Sequence, residues 1–169
     1  MLDRRQILRL LRALNVELRR QRVVGEVVLC GGAVMCVVFR SRESTKDVDA
    51  VFAPPRQMRA AIRAVAVRFD LHADWLNDAA KGFFLSDPPR RKVLGLSHLR
   101  VWAARADYML AMKCVAARFD THDLDDVRFL IRHLRLKSPE AVFSVIEKFY
   151  PRRLVPAKSR FLVEEIFST

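Results

Sequence analysis

At 169 residues, 51% of them hydrophobic and 30% charged, the chain is long enough to bury a core and too apolar to be an intrinsically disordered segment. No apolar run approaches the length that crosses a bilayer. The arginine-rich start lacks the apolar stretch and small-residue cleavage site of a secretory signal, so the expected location is the cytoplasm, with no membrane partner. The net charge of +12 favours a polyanionic partner, nucleic acid ahead of an acidic protein, because neutralising phosphates releases condensed counterions.

The basic residues cluster at Arg4-Arg5, Arg19-Arg20, Arg90-Arg91-Lys92 and Arg152-Arg153. The competing reading is a solvated surface on a chain in which arginine is simply abundant. Over residues 3–22, Ile7, Leu8, Leu11, Leu14 and Leu18 recur at helical spacing with arginines opposite. This predicts an amphipathic helix packed on the body of the protein, not a membrane-surface helix, since its apolar side carries no aromatic anchor. Val27 to Leu29 read as a strand that stops at Gly31-Gly32, and 33–39 could continue as helix or strand. "DVDAVF" reads as a second strand, ended by Pro54-Pro55, which opens a helix with Met58, Ala61, Ile62, Val65 and Phe69 on one stripe. Short strands or loops follow over 70–100, with Trp75 in the core. From 101 the pattern reads as wholly helical, with helices over 101–118, 122–134 (Thr121 as a candidate cap), 138–150 and 157–167. The expected architecture is α+β, with an α/β lobe over 1–100 and a helical lobe over 101–169. Cys30, Cys36 and Cys114 lie among apolar neighbours, which favours reduced, buried thiols, and no Cys/His spacing suits zinc.

The chemistry concentrates in "GGAVMCVVFRSRESTKDVDAVF", residues 31–52. On a strand, Asp47 and Asp49 share one face while Val48 points into the core. Adjacent carboxylates repel unless a cation lies between them, and hard oxygen ligands suit Mg²⁺, with Mn²⁺ as a substitute. Such a clamp serves phosphoryl transfer. Gly31 and Gly32 at a strand end allow backbone N–H groups close to a phosphate, and Ser44 and Thr45 add hydroxyl donors. The bland reading of the same residues is a turn followed by a polar strand edge.

Gly-Gly followed by Ser-Thr-x-Asp-x-Asp resembles the first motif of the nucleotidyltransferase (polymerase-β-like) superfamily, in the variant with a second Gly in place of Ser. More narrowly, the chain is similar to the AbiEii/MenT-type nucleotidyltransferases, which include toxins of toxin–antitoxin pairs. "ADWLNDAAKGF" (73–83), "DYMLAMKCVAAR" (107–118) and "HDLDDV" (122–127) resemble later segments of that group, so the likeness spans about residues 25–135. It implies a small mixed sheet with flanking helices, completed by the helical lobe. It also implies Lys113 as an active-site lysine that binds the triphosphate, with Asp123 at the nucleotide and Asp126 orienting Lys113 or the nucleotide. Asn77, Asp78 and Lys81 are further candidates for the cleft. His122 stands where the pattern has arginine, and a third metal carboxylate is not obvious, with Asp78 and Asp87 the candidates. On helical spacing alone, Asp123 and Asp126 share a face. The structural alternative is an ion pair between Lys113 and Asp126 that merely locks two helices together.

The implied activity is Mg²⁺-dependent transfer of a nucleoside monophosphate from an NTP to an RNA. The resemblance points to a tRNA 3′ end as acceptor, a pyrimidine nucleotide as a plausible donor and a cognate antitoxin as partner. An antibiotic-modifying nucleotidyltransferase is disfavoured by the charge, since aminoglycosides are polycations. The third reading is an inactive RNA- or protein-binding module.

Overall fold

The computed structural model describes residues 1–116 and 121–168, with the backbone alone at 121 and 122. The expected Thr121 cap and the role of the His122 side chain lie outside the described residues. The architecture is mixed α+β. Two compact units emerge, Met1–Gly82 with Arg90–Ala104, and Phe83–Pro89 with Arg105–Thr169.

The first unit begins with β1 (Leu2–Asp3) and α1 (Arg4–Arg20). Asp3 caps α1 in a reciprocal capping box: its carboxylate accepts from the Gln6 N–H at 2.7 Å, and its own N–H donates to the Gln6 side chain at 2.8 Å. Ile7, Leu11, Leu14 and Leu18 are buried, as the helical spacing predicts, whereas Leu8 is only half-buried and Leu10, outside the predicted set, is buried with them. Next come β2 (Gly25–Leu29), α2 (Gly31–Val34) and a π-helical turn, Met35–Phe39, so the ambiguous 33–39 segment is helical. β3 (Ser44–Thr45), β4 (Val48–Ala53), α3 (Pro55–Phe69) and β5 (Leu76–Asn77) follow, with Pro55 in the first turn of α3. After a 3₁₀ turn at Ala79–Phe83, β6 (Arg90–Gly95) and β7 (Leu99–Ala104) complete the sheet.

The five main strands run in the order β5-β4-β2-β7-β6, while β1 and β3 form a separate antiparallel pair. β2 is antiparallel to β4 and parallel to β7. α1 and α3 pack together. The close approach is visible at Gly25, where a Cβ would come within 2.6 Å of the Met58 sulfur and 2.8 Å of Leu18. Trp75 is core, as expected: it is 3% exposed and donates its indole N–H to the Ile62 carbonyl.

One sequence expectation is corrected here. Residues 101–104 are not the start of a helix but the end of β7, one strand in from the sheet edge. A continuous apolar run, Val-Trp-Ala-Ala, does not distinguish a buried strand with a parallel neighbour from a buried helix.

The second unit contains α4 (Ala106–Ala116), α5 (Thr121–His133), α6 (Pro139–Phe149) and α7 (Ala157–Ser168). α6 is capped by Ser138, whose hydroxyl accepts from the Ala141 N–H. α4 packs against the other three helices and is buried continuously from Tyr108 to Cys114. Ser159 of α7 donates to the Cys114 carbonyl at 2.6 Å. Residues 83–89 are tied to these helices at the Phe83 carbonyl, which accepts from the Tyr150 hydroxyl at 2.7 Å and more weakly from Tyr108 at 3.5 Å. All three cysteines are buried and outside any disulfide, and burial pushes the Cys114 thiol up to about 12, which keeps it protonated and unreactive near neutral pH. Among the described residues, no helix is long and apolar enough to cross a membrane.

Candidate functional site

β2 and β4 meet at the point where the Gly-Gly turn leaves the sheet. The Cys30 N–H donates to the Asp49 carbonyl at 2.9 Å, extending the ladder one residue beyond the Leu29–Ala50 pair. Gly31 then takes a left-handed conformation, φ +58°, directly against the Asp49 side chain. A Cβ on Gly31 would sit 2.6 Å from Asp49 Oδ2. Only glycine holds this φ at low cost while leaving room for the carboxylate. Gly32 is pressed in the same way against Thr45, whose hydroxyl would lie 2.6 Å from an added Cβ, and the Arg42 guanidinium reaches to within 3.4 Å of that point. The N-cap residue of α2, Cys30, makes no side-chain cap hydrogen bond.

Four of the expected residues, Gly31, Gly32, Thr45 and Asp49, are thus brought into one cluster. Ser44 is half-buried beside Thr45, and the two pair with Asp3 and Leu2, so the start of α1 is tied to this corner. Asp49 lies on β4 facing away from the buried Val48, as alternation predicts. Asp47 is also half-buried but precedes the strand, in the bend between β3 and β4. Asn77 is directly abreast of Asp49 in the parallel β4–β5 pair. Its amide also closes a local turn, accepting from the Ala79 N–H at 3.0 Å.

Asp78 is drawn elsewhere. Its carboxylate pairs with Arg59 at 2.8 Å and, with Asn77 and Arg63, lines a pocket of about 110 Å³. That volume is below the several hundred Å³ usual for a small-molecule site. Lys81 is exposed on the 3₁₀ turn, and Asp87 is exposed in the second unit. Among the described residues, no group of three or more His, Cys, Asp or Glu is arranged to hold a metal, so the carboxylates at this corner amount to a pair at most.

Lys113, Asp123 and Asp126 form the second constellation, wholly within the helical unit. The Lys113 ammonium on α4 lies 2.5 Å from Asp123 and 2.7 Å from Asp126, both on α5. Lys113 is 8% exposed and Asp126 2%, so a near-buried cation is held by two carboxylates. Charges this poorly hydrated persist only when paired. The three-residue spacing puts both carboxylates on the face of α5 that meets the lysine. This arrangement joins two helices, and it also fixes the direction of the Lys113 side chain.

Arg42 is the site neighbour that sequence reasoning missed. Its only signal is an arginine two residues before the Ser-Thr cluster, in a chain where arginine is common. A separate pocket of about 530 Å³ lies in the helical unit, lined by Glu140, Phe143, Glu147, Arg152, Arg160 and Glu164 among others, and none of the expected site residues lines it. Compared with protein-family models, with curated proteins and with solved structures, the chain matches none.

Proposed function

We propose that the protein is a Mg²⁺-dependent nucleotidyltransferase, which moves a nucleoside monophosphate from an NTP to an RNA hydroxyl, a tRNA 3′ end being the acceptor the resemblance favours. The observation that carries the reading is the corner at Gly31, where the Gly-Gly turn that opens α2 packs against the Asp49 carboxylate and the Thr45 hydroxyl. Backbone N–H groups and a helix N-terminus attract phosphate oxygens, and a carboxylate beside them attracts the cation that accompanies a triphosphate. Asp49, with Asp47, would hold Mg²⁺ (or Mn²⁺). That ion would polarise the phosphoryl group and draw charge off the leaving pyrophosphate. The protein's own contribution is positioning and electrostatics. Gly31 and Gly32 bring the backbone to the phosphates, Ser44 and Thr45 offer hydroxyls, and Arg42 adds a fixed positive charge. Lys113, oriented by Asp123 and Asp126, is assigned to the triphosphate, and Asn77 to the flank of Asp49. A toxin role with a cognate antitoxin belongs to the same proposal, as does a cytoplasmic location.

Equilibrium titration tests the binding half of this reading. A non-hydrolysable NTP analogue should bind in the presence of Mg²⁺ and lose at least tenfold in affinity when EDTA replaces the metal. Asp49→Ala should abolish the metal dependence while leaving the far-ultraviolet circular dichroism unchanged. Metal-independent binding of equal strength would count against the site.

A further inference from the structure

The +12 charge is not spread over the molecule. α1 and α3 carry ten arginines against a single glutamate, Glu17, a net of +9. The other 137 residues share the remaining +3. General arginine abundance does not produce this contrast, since it would load both parts alike. The two helices pack against each other, and Arg9 of α1 reaches the Phe69 ring at the end of α3, so their exposed sides adjoin.

On these sides, Arg5, Arg9, Arg12 and Arg19 on α1 and Arg56, Arg63 and Arg68 on α3 are exposed, and among the described residues none has a carboxylate partner. Where carboxylates are available the arginines use them, as Arg20 does with Glu17 and Arg59 with Asp78. Phe69 is half-buried at the end of α3, with the guanidinium groups of Arg9 and Arg68 5.2 and 5.6 Å from its ring centre. Uncompensated arginines in rows at helical spacing repel one another, a cost the fold tolerates without internal relief. A ligand with regularly spaced negative charges removes it. α1 is about 25 Å long, and its first turn is anchored beside Ser44 and Thr45 through the β1–β3 pairing.

We propose that the outer face of α1 and α3 is the docking surface for RNA, which the arginines hold by its phosphate backbone. The track ends at the Gly31–Asp49 corner, so on the nucleotidyltransferase reading it would deliver the acceptor end there. The docking surface itself does not depend on that reading. Contacts of this kind give affinity and register without sequence specificity.

The test is fluorescence anisotropy of a labelled RNA hairpin titrated with the full chain, between about 50 and 200 mM salt. The wild type should bind with a steep salt dependence. Replacing Arg5, Arg9, Arg12 and Arg63 by glutamine keeps helix propensity and should weaken binding by about 10- to 100-fold, and should flatten the slope of log affinity against log salt by about 3. A control that removes the same charge elsewhere, with glutamine at Arg91, Lys92, Arg152 and Arg153, should bind within about threefold of the wild type. Circular dichroism checks that both variants fold. Equal losses in the two variants, or none in the first, overturn the proposal. So does tighter, helix-dependent binding to phosphatidylserine vesicles or polyglutamate than to the hairpin. The hairpin titration contains no NTP, so it reads docking alone. RNA binding without nucleotide transfer therefore removes the enzymatic reading and leaves this one standing.

Discussion

Lys113→Ala should lower the stability of the protein by about 3–5 kcal/mol, because it removes the ammonium 2.7 Å from the Asp126 carboxylate, a charge that is only 2% exposed. Asp123 suffers less, since its side chain is 21% exposed and retains some water. Denaturant unfolding of the single variant measures the loss. The double variant Lys113→Met, Asp126→Leu should recover most of it, since replacing both members of a buried pair with apolar groups of similar volume removes the buried charge. A Lys113→Ala protein as stable as the wild type would mean that the ion pairs do not hold α4 to α5. The same pair of variants separates structure from chemistry. If the double variant is stable yet loses nucleotide affinity, the Lys113–Asp126 pair serves nucleotide binding as well as the fold. If it binds nucleotide normally, the lysine only joins helices.

Gly31→Ala should be the most damaging single-methyl change in the sheet unit. The left-handed φ of +58° costs an L-residue about 1–2 kcal/mol, and the new methyl would enter the space of Asp49 Oδ2. Either the Asp49 carboxylate moves or the turn does. The expected result is a stability loss of about 2 kcal/mol or more, together with loss of metal-dependent nucleotide binding. Gly82→Ala is the matched control, since an added Cβ there meets nothing within 4 Å, and it should be close to neutral. Normal nucleotide binding by Gly31→Ala would separate Gly31 from the site.

The elements that were legible in the sequence are those with a clear period or a strong stop signal. α1 announced itself by leucines and isoleucine at helical spacing, α3 by Pro55 and its apolar stripe, and α6 by Ser138 before Pro139. β7 was not legible, because a strand flanked by β2 and β6 reads as an unbroken apolar run like a buried helix. The pairing of β1 with β3, which ties the start of α1 to Ser44 and Thr45, has no local signal at all: it joins residues more than forty apart. For the candidate site, motif spacing pointed to Gly31, Gly32, Thr45 and Asp49, which the fold brings together. It pointed equally to Asp78, which Arg59 engages, and it passed over Arg42. Spacing reports which residues a turn or strand can align, whereas the approach of a long side chain from a neighbouring segment depends on the fold. The arginines of α1 and α3 illustrate the same limit, since their concentration on adjoining sides emerges only once the two helices are known to pack against each other.

The most direct test of the central claim is to incubate the protein with RNA, Mg²⁺ and an NTP labelled at either the α- or the γ-phosphate. Nucleotidyl transfer keeps the α-phosphate on the product and releases the γ-phosphate with pyrophosphate. The account predicts α-label on RNA, no γ-label, and neither with Asp49→Ala. Failure to label any RNA, or γ-label on the RNA as in a kinase, would contradict it.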